Sequence, residues 1–298
     1  MILITGGTGF VGKNLIRELL KESRRIRCLV RDPQRAEWLQ KAGCELVRGD
    51  VTDPSSVLEA VGHGGVETVI HLVGILVETR GARFKDVHVE GTRNVVAACR
   101  GKGGGVKRYI HISALGTREN AVSEYHRTKW EAEEIVRASG LAYTIFRPSV
   151  MFGSEDKFTN VLARAIRLSP VIMVPGNGQG RMQPVSVKDV AAALAKSIGM
   201  AGASRRVFEL GGAEVLTFDG VIDAVAEALA RKRLKLHVPM PLMRVAAALM
   251  EAALPRPPLT RDALLMLEED NVTGDNALPE VFGIQPAGLK EGVKEYLH

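Results

Sequence analysis

Met1-Ile-Leu-Ile-Thr-Gly-Gly-Thr-Gly-Phe-Val-Gly12 opens the chain, and its reading decides the fold. Met1 to Ile4 is a short apolar run of the kind that forms a buried parallel strand. From Thr5 to Gly9 the chain is free to turn sharply because glycine lacks a Cβ. From Phe10 onward the apolar residues take a helical rhythm. The glycines fit two registers, G-x-G-x-x-G at Gly7, Gly9 and Gly12, and G-x-x-G-x-x-G at Gly6, Gly9 and Gly12. In either register, bare backbone N–H groups and the positive end of a helix would face an anionic pyrophosphate. Three glycines alone also suit an ordinary tight turn. The strand before, the helix after and the βαβ rhythm beyond point to a dinucleotide site.

Working outward, Lys13 to Leu20 presents Leu15, Ile16, Leu19 and Leu20 on one helical face. Arg25 to Val30 reads as a second strand, and the residues just past it select the cofactor. A carboxylate there accepts from the ribose hydroxyls of NAD, whereas a guanidinium pairs with the 2′-phosphate of NADP. Arg31 comes first, Asp32 follows, and Arg35 lies one helical turn further on. Asp32-Pro33 is also a good N-cap and N1 pair, which gives the aspartate a structural role. NADP(H) is therefore favoured over NAD(H), with Arg31 and Arg35 clamping the phosphate.

Cys44 to Arg48 is the third strand, closed by Gly49-Asp50-Val51, where the Asp50 carboxylate either accepts from an adenine amino group or shapes a turn. Thr68 to Val73 is the fourth strand, and it ends at Gly74, where backbone is expected to pass close to a ligand. His71 on that strand reads as a core histidine. A long helix from about Phe84 to Arg100 would bury Val89, Val95, Val96 and Cys99. Arg108 to Ser113 is the fifth strand, and it leaves Ser113 at the carboxyl edge, where open α/β sheets hold ligands. Tyr125 and Lys129, four residues apart in a helical stretch ending near Ala138, share one face. Leu141 to Arg147 is the sixth strand, stopped by Pro148.

The pattern of alternating strands and helices implies an α/β, Rossmann-type doubly wound parallel sheet with a smaller, mostly helical C-terminal cap. The expected division is a nucleotide-binding domain over 1–152, rejoined by 184–212, and a substrate or partner cap over 153–298. Within the cap, Ser186 opens a Ser-x-x-Asp capping box, Arg206 to Leu210 looks like one more strand, and Thr217 caps a helix from Phe218 to Ala230. Pro239 to Leu254 is mostly Ala, Leu, Met and Val, broken by Arg244 and Glu251. It reads either as a core or cap helix, or as a greasy lid over an apolar ligand or membrane surface. Thr260 to Asp270 and Leu289 to Leu297 are the closing helices.

Apolar residues make up 46% of the 298, ample for a core, and the net charge of +6 comes from 40 basic and 34 acidic residues spread along the chain. No basic block with interleaved aromatics stands out, so nucleic acid is not an expected partner. Cys28, Cys44 and Cys99 have no metal-ligand spacing and read as small buried hydrophobes in a reducing, cytoplasmic setting. The N-terminus reads as a strand rather than a signal peptide, and no apolar run is long enough to span a membrane. The partners expected are a small-molecule substrate, a peripheral membrane or protein-complex contact through 239–254, and a second copy in a homodimer.

Ser113, Tyr125 and Lys129 supply a chemistry. Bringing a phenol from a pKa of ~10 to ~7 requires about 4 kcal/mol of preference for the phenolate. One positive charge ~6 Å away at an effective dielectric of ~20 supplies about 2.8 kcal/mol. Lys129 and an oxidised nicotinamide together would cover the shift, while Ser113 holds a substrate oxygen by hydrogen bond. On spacing alone, a surface tyrosine and lysine on an exposed helix is the simpler reading.

TGGTGFVG at the start, GDVTD at 49–53, VEGTRNVVAAC at 89–99, Y-x-x-x-K at 125–129 and FRPSVMFG at 146–153 resemble the short-chain dehydrogenase/reductase superfamily in its extended or atypical branch. The likeness runs over nearly the whole chain. QPVSVKDVA (183–191), FELGGAEVLTFDGVI (208–222) and LTRDALLMLEEDN (259–271) resemble more narrowly the NADPH-binding accessory subunit family of respiratory complex I and its bacterial epimerase/dehydratase relatives. The resemblance implies that Gly6, Gly9 and Gly12 hold the pyrophosphate. It implies further that Ser113 orients substrate, that Tyr125 is the acid/base, and that Lys129 grips the ribose and tunes Tyr125. With Thr8, Phe10, Arg31, Arg35, Asp50, Val51, Gly74 and Pro148, these residues complete the expected cofactor set. Three residues before the Gly of its x-G-T motif the extended branch usually has Asn; this chain has His88. Three functions follow from the resemblance: an NADP(H)-dependent oxidoreductase, a non-catalytic NADPH-binding structural, assembly or sensing protein, and a nucleotide-sugar epimerase or dehydratase.

Overall fold

The apolar runs read as strands before Pro148 all form one sheet, and its order fixes where a ligand can sit. The computed structural model describes residues 1–62, 64–101 and 105–297. Strands β1 (Ile2–Thr5), β2 (Ile26–Val30), β3 (Glu45–Arg48), β4 (Thr68–His71), β5 (Arg108–Ile112) and β6 (Tyr143–Pro148) alternate with helices α1 (Phe10–Lys21), α2 (Glu37–Lys41), α3 (Pro54–Gly62), α4 (Gly91–Arg100) and α5 (Glu124–Arg137). Neighbouring strands from β3 to β6 pair in parallel where their register is defined, for example Ile4 with Cys28 and with Ile70. After β7 (Met151–Phe152), α6 (Thr159–Leu168), β8 (Val171–Pro175), β9 (Arg181–Met182), β10 (Val185–Ser186) and α7 (Val187–Ser197), strand β11 (Arg206–Leu210) returns to the sheet edge. The order β11-β6-β5-β4-β1-β2-β3 reverses direction between β1 and β4. At that reversal the loops after the two strands diverge to opposite faces and leave a crevice at the carboxyl ends.

The chain divides into two compact units, one of 1–120, 125–147 and 191–208, the other of 121–124, 148–190 and the residues from 209 onward. In the first unit, Leu3, Val69, Tyr109 and Ile145 of the strands pack with Val57, Val61, Val95 and Val136 of the helices. Strands buried on both faces explain the continuous apolar runs. The helix expected over 84–100 divides into a π-helical stretch, Lys85–Glu90, followed by α4.

The second unit adds β12 (Leu216–Thr217), α8 (Phe218–Ala228), β13 (Leu234–Val238), α9 (Met240–Ala253), α10 (Arg261–Leu267), α11 (Ala277–Glu280) and α12 (Leu289–Lys294). Three two-stranded sheets, β7 with β10, β9 with β12 and β8 with β13, accompany the helices. The core gathers Phe152, Ile166, Ile172, Val174, Val221, Val225 and Val293. Thr217 caps α8 by accepting from the Gly220 N–H at 3.0 Å, and the Ser186 hydroxyl accepts from the Lys188 N–H at 3.2 Å.

Helix α5 is fastened to β6 by charge. Glu133, fully buried, accepts from Arg147 through both carboxylate oxygens at 2.9 and 2.7 Å and from Arg137 at 2.7 Å. Both guanidinium groups lie over the Trp130 ring, 5.2 and 5.8 Å from its centroid. Removing one member of a buried ionic cluster strands the others, at a cost of about 3 kcal/mol. Glu133→Ala is therefore expected to lower the urea-unfolding free energy by about that amount, and a change below about 1 kcal/mol would show the cluster to be energetically idle.

Candidate functional site

The glycine turn is built for close approach. Gly6 sits at φ +80°, a left-handed conformation natural to glycine, and its carbonyl accepts from the Gly9 N–H at 2.9 Å. A Cβ on Gly12 would lie 2.4 Å from the Gly6 oxygen and 2.7 Å from the Gly7 Cα, so α1 packs directly on the turn. The G-x-x-G-x-x-G register thus carries the steric demands at its first and last positions. Gly7 packs against the Cys28 Sγ and Ile16, each 3.1 Å from where its Cβ would be. Gly9 takes the N-cap position in extended conformation and no side chain caps the helix. Thr8 and Gly9 are exposed and Phe10 is half-buried, so the positive end of α1 faces outward.

Past β2, Asp32 shapes the turn as expected, its Oδ1 accepting from the Gln34 N–H at 3.1 Å. Arg35 lies 3.3 Å from the Asp32 carboxylate, and the Arg31 Nε lies 4.0 Å from Asp50 Oδ2. Both guanidinium groups are well exposed, so these pairs are weak and either cation can turn to a stronger anion. Asp50 Oδ1 accepts from the Thr52 N–H and hydroxyl at 3.0 and 2.9 Å, the turn role of its two readings. Val51 is buried, and its carbonyl accepts from the Asn94 amide at 2.9 Å. Pro148 ends β6, buried.

On the other side of the strand reversal, α5 aims its inner face at the end of β5. Lys129 is 3% exposed, and its Nζ donates to the Ile112 carbonyl at 2.7 Å, one residue before Ser113. Ser113 is also buried; its N–H donates to the Phe146 carbonyl and its hydroxyl to Thr117 at 3.4 Å. Tyr125 precedes Lys129 by one helical turn, and its ring meets His88 edge-on at 5.4 Å and Phe84 at 5.8 Å. Gly74, exposed after β4, looks toward both groups: a Cβ there would lie 3.5 Å from His88 Nε2 and 3.7 Å from Lys129 Nζ. A Cβ at Gly74 would meet these described atoms only at ordinary contact distance.

His88 is a bracket. The Thr128 hydroxyl donates to the Tyr125 carbonyl at 3.0 Å, so its oxygen accepts from His88 Nδ1–H at 3.0 Å. On the other side of the ring Nε2 meets both the Ile75 N–H at 3.1 Å and the Ile75 carbonyl at 3.2 Å. Burial and then the Lys129 charge hold His88 neutral, its pKa pulled down to about 2. The same causes lower His71 to about 3 and His111 well below the usual imidazole range. His71 lies between the hydroxyls of Thr5 and Thr92 and stacks on His111, as a core histidine. Burial lowers Lys129 itself to about 8, against an opposing pull from Glu133. Thr128, Ile75 and Phe84 carry no sequence signal of their own; they are visible only once α5 and the π-helical stretch are side by side.

Among the described residues, no group of three or more His, Cys, Asp or Glu is placed to hold a metal ion, and no helix is long and apolar enough to cross a membrane.

Residues 2–211 match the model of the NAD dependent epimerase/dehydratase family. The chain belongs to that family. Within the epimerase/dehydratase family it is 27% identical to the NADH-ubiquinone oxidoreductase 40 kDa subunit of Neurospora crassa over 99% of this chain and 78% of that one. It is 33% identical to a ceramide reductase of Caulobacter vibrioides over 65% of this chain and 59% of the relative. An NADPH-dependent quinone oxidoreductase of Escherichia coli, solved in complex with NADPH, superimposes over the full length of both chains with a TM-score of 0.81 and 25% identity. Its epimerase/dehydratase membership and these neighbours make the α/β sheet described above an NAD(P)-binding fold.

The buried lysine has a measurable consequence. An unfolded lysine keeps its proton to about pH 10.5, the folded Lys129 only to about 8. Between those values the unfolded chain binds more protons, so stability rises with pH across the window and is lost again as pH falls through about 8. Relative to Lys129→Met, the wild-type unfolding free energy is expected to climb from pH 8 to 10.5; a difference independent of pH would contradict it.

Proposed function

We propose that the chain is an NADP(H)-dependent oxidoreductase that reduces or regenerates a carbonyl group on a small molecule, with Ser113, Tyr125 and Lys129 as its catalytic residues. The observation that carries this is the Lys129 ammonium, buried and tied to the Ile112 carbonyl beside Ser113, one helical turn from Tyr125. An ammonium withdrawn from water is a costly feature that structural packing alone does not call for. Names of relatives, a reductase and a quinone oxidoreductase, support the same class.

The residues present fit the cofactor. Gly6, Gly9 and Gly12 with the uncapped end of α1 would hold a pyrophosphate, Arg31 and Arg35 the 2′-phosphate, and Lys129 the ribose hydroxyls. NADP(H), when bound, supplies or takes up a hydride. Ser113 would donate to the carbonyl oxygen and fix its position. Tyr125 would give that oxygen a proton during reduction and take it back during oxidation. The Lys129 charge favours the phenolate left behind, and His88 holds the Tyr125 turn in place through Thr128.

We further infer a cytoplasmic protein that makes a peripheral contact through 239–254. Exposed Leu242, Val245 and Leu249 on α9 support the peripheral contact, as do the subunit names of several relatives.

With 1,4-benzoquinone as a generic acceptor and NADPH as donor, Tyr125→Phe is expected to lower the turnover rate by at least about a hundredfold while NADPH binding is retained. An unchanged rate would leave a nucleotide-binding protein without this catalytic role.

A further inference from the structure

In β13, Leu234-Lys-Leu-His-Val238, the alternation of apolar and polar residues would ordinarily put the leucines inside and the cations outside. The structure has the reverse. Lys235 turns in to Asp223 at 2.7 Å and His237 to Asp219 at 3.0 Å, both carboxylates on α8. Leu234 and Leu236 face solvent at 73% and 55% exposure. In β8, Ile172 and Val174 enter the core while Val171 and Met173 point out, Met173 at 64% exposure. The parallel register sets Leu234 beside Val171 and Leu236 beside Met173, so four aliphatic side chains form one outward block.

Through Pro239 the chain runs on into α9, where the pattern repeats. Met243 and Ala247 pack with Leu264 of α10, and both charges of α9 turn toward the α10 segment, Arg244 to Glu268 and Glu251 to Arg261, each at 2.7 Å. Leu242, Val245 and Leu249, at helical spacing, are left exposed. Leu168, at the end of α6, is exposed at 76%.

The charged residues on the segments that build this face are basic. Neither 157–188 nor 228–250, the segments that build it, contains an Asp or Glu. Arg164 and Arg167 share the face of α6 that ends in Leu168, and Arg231, Lys232 and Arg233 lead into Leu234. Arg233 joins the two groups by donating to the Ile166 carbonyl at 2.7 Å. The carboxylates of α8, Asp219, Asp223 and Glu227, are partnered by His237, Lys235 and Lys290. Aliphatic side chains without hydrogen-bonding groups, on segments whose charged residues are all basic, match a hydrocarbon layer beneath anionic headgroups.

We propose that the outward face of β8 and β13, continued by the outer stripe of α9, docks on an anionic lipid surface. This rests on the peripheral contact inferred above and names its chemistry; it is independent of the oxidoreductase reading. The test is sedimentation of the full chain with vesicles of phosphatidylcholine alone or mixed with phosphatidylglycerol. The wild type is expected to sediment with the mixed vesicles and not with pure phosphatidylcholine. Arg231→Gln with Lys232→Gln should weaken binding by at least about tenfold, each basic residue near such a surface being worth about fivefold. Leu234→Gln with Leu236→Gln should abolish it, with the unfolding midpoint of both variants as the check on folding. Equal sedimentation with both kinds of vesicle would overturn the anionic requirement and leave the peripheral contact standing. No sedimentation with either would overturn both. Variants that bind like the wild type, or a wild-type dimer split by the leucine changes, would overturn this face as a lipid surface.

Discussion

A methyl group at position 12 would lie 2.4 Å from the Gly6 oxygen, so α1 reaches its seat on the β1 turn only because that position is glycine. The remaining geometry follows from this contact. It draws the first turn of the helix down to Gly6 and Gly7, and with Gly9 in the cap position no side chain caps the N–H groups of α1. Because β1 lies beside both β2 and β4, the same seat puts the helix end at the reversal of strand order. Arg31 and Asp50 follow on one side and Gly74 on the other.

The opposite half of the site depends on what burial does to charge. Lys129 is withdrawn from water and still basic enough to carry a proton at neutral pH, because Glu133, one turn on, offsets part of the desolvation. Glu133 in turn is held by two arginines, so the buried cluster that fastens α5 to β6 also sets the electrostatics of the lysine. Three imidazoles nearby stay neutral. The arrangement sets the Lys129 ammonium at the carboxyl edge of β5. That placement is what a phenol acting as acid and base at Tyr125 requires, and the same constraint explains why His88 serves as a neutral bracket.

Much of this was legible in residue order. Strands β1, β2, β4 and β5 are buried along their whole length, and continuous apolar runs announce such strands whatever their partners. Gly6, Gly9 and Gly12 announced the turn, and Asp32 and Thr217 did their capping as read. The segments that escaped are those where the usual code is inverted or shared. Val171 to Pro175 has aliphatic residues on both faces, so period two is erased. Leu234 to Val238 shows period two with the wrong face outward, because Lys235 and His237 answer carboxylates on α8. The π-helical stretch at 85–90 leaves no trace in a pattern of apolar spacing. Thr128 and Ile75 matter through hydrogen bonds that only the tertiary fold creates.

The most direct test of the central claim is a calorimetric titration of the intact chain with NADPH and, in parallel, with NADH. The glycine cradle predicts saturable binding of a pyridine nucleotide, and the guanidinium groups of Arg31 and Arg35 predict that NADPH binds at least about tenfold more tightly. Failure of both nucleotides to bind would contradict the cradle, and tighter binding of NADH would contradict the clamp.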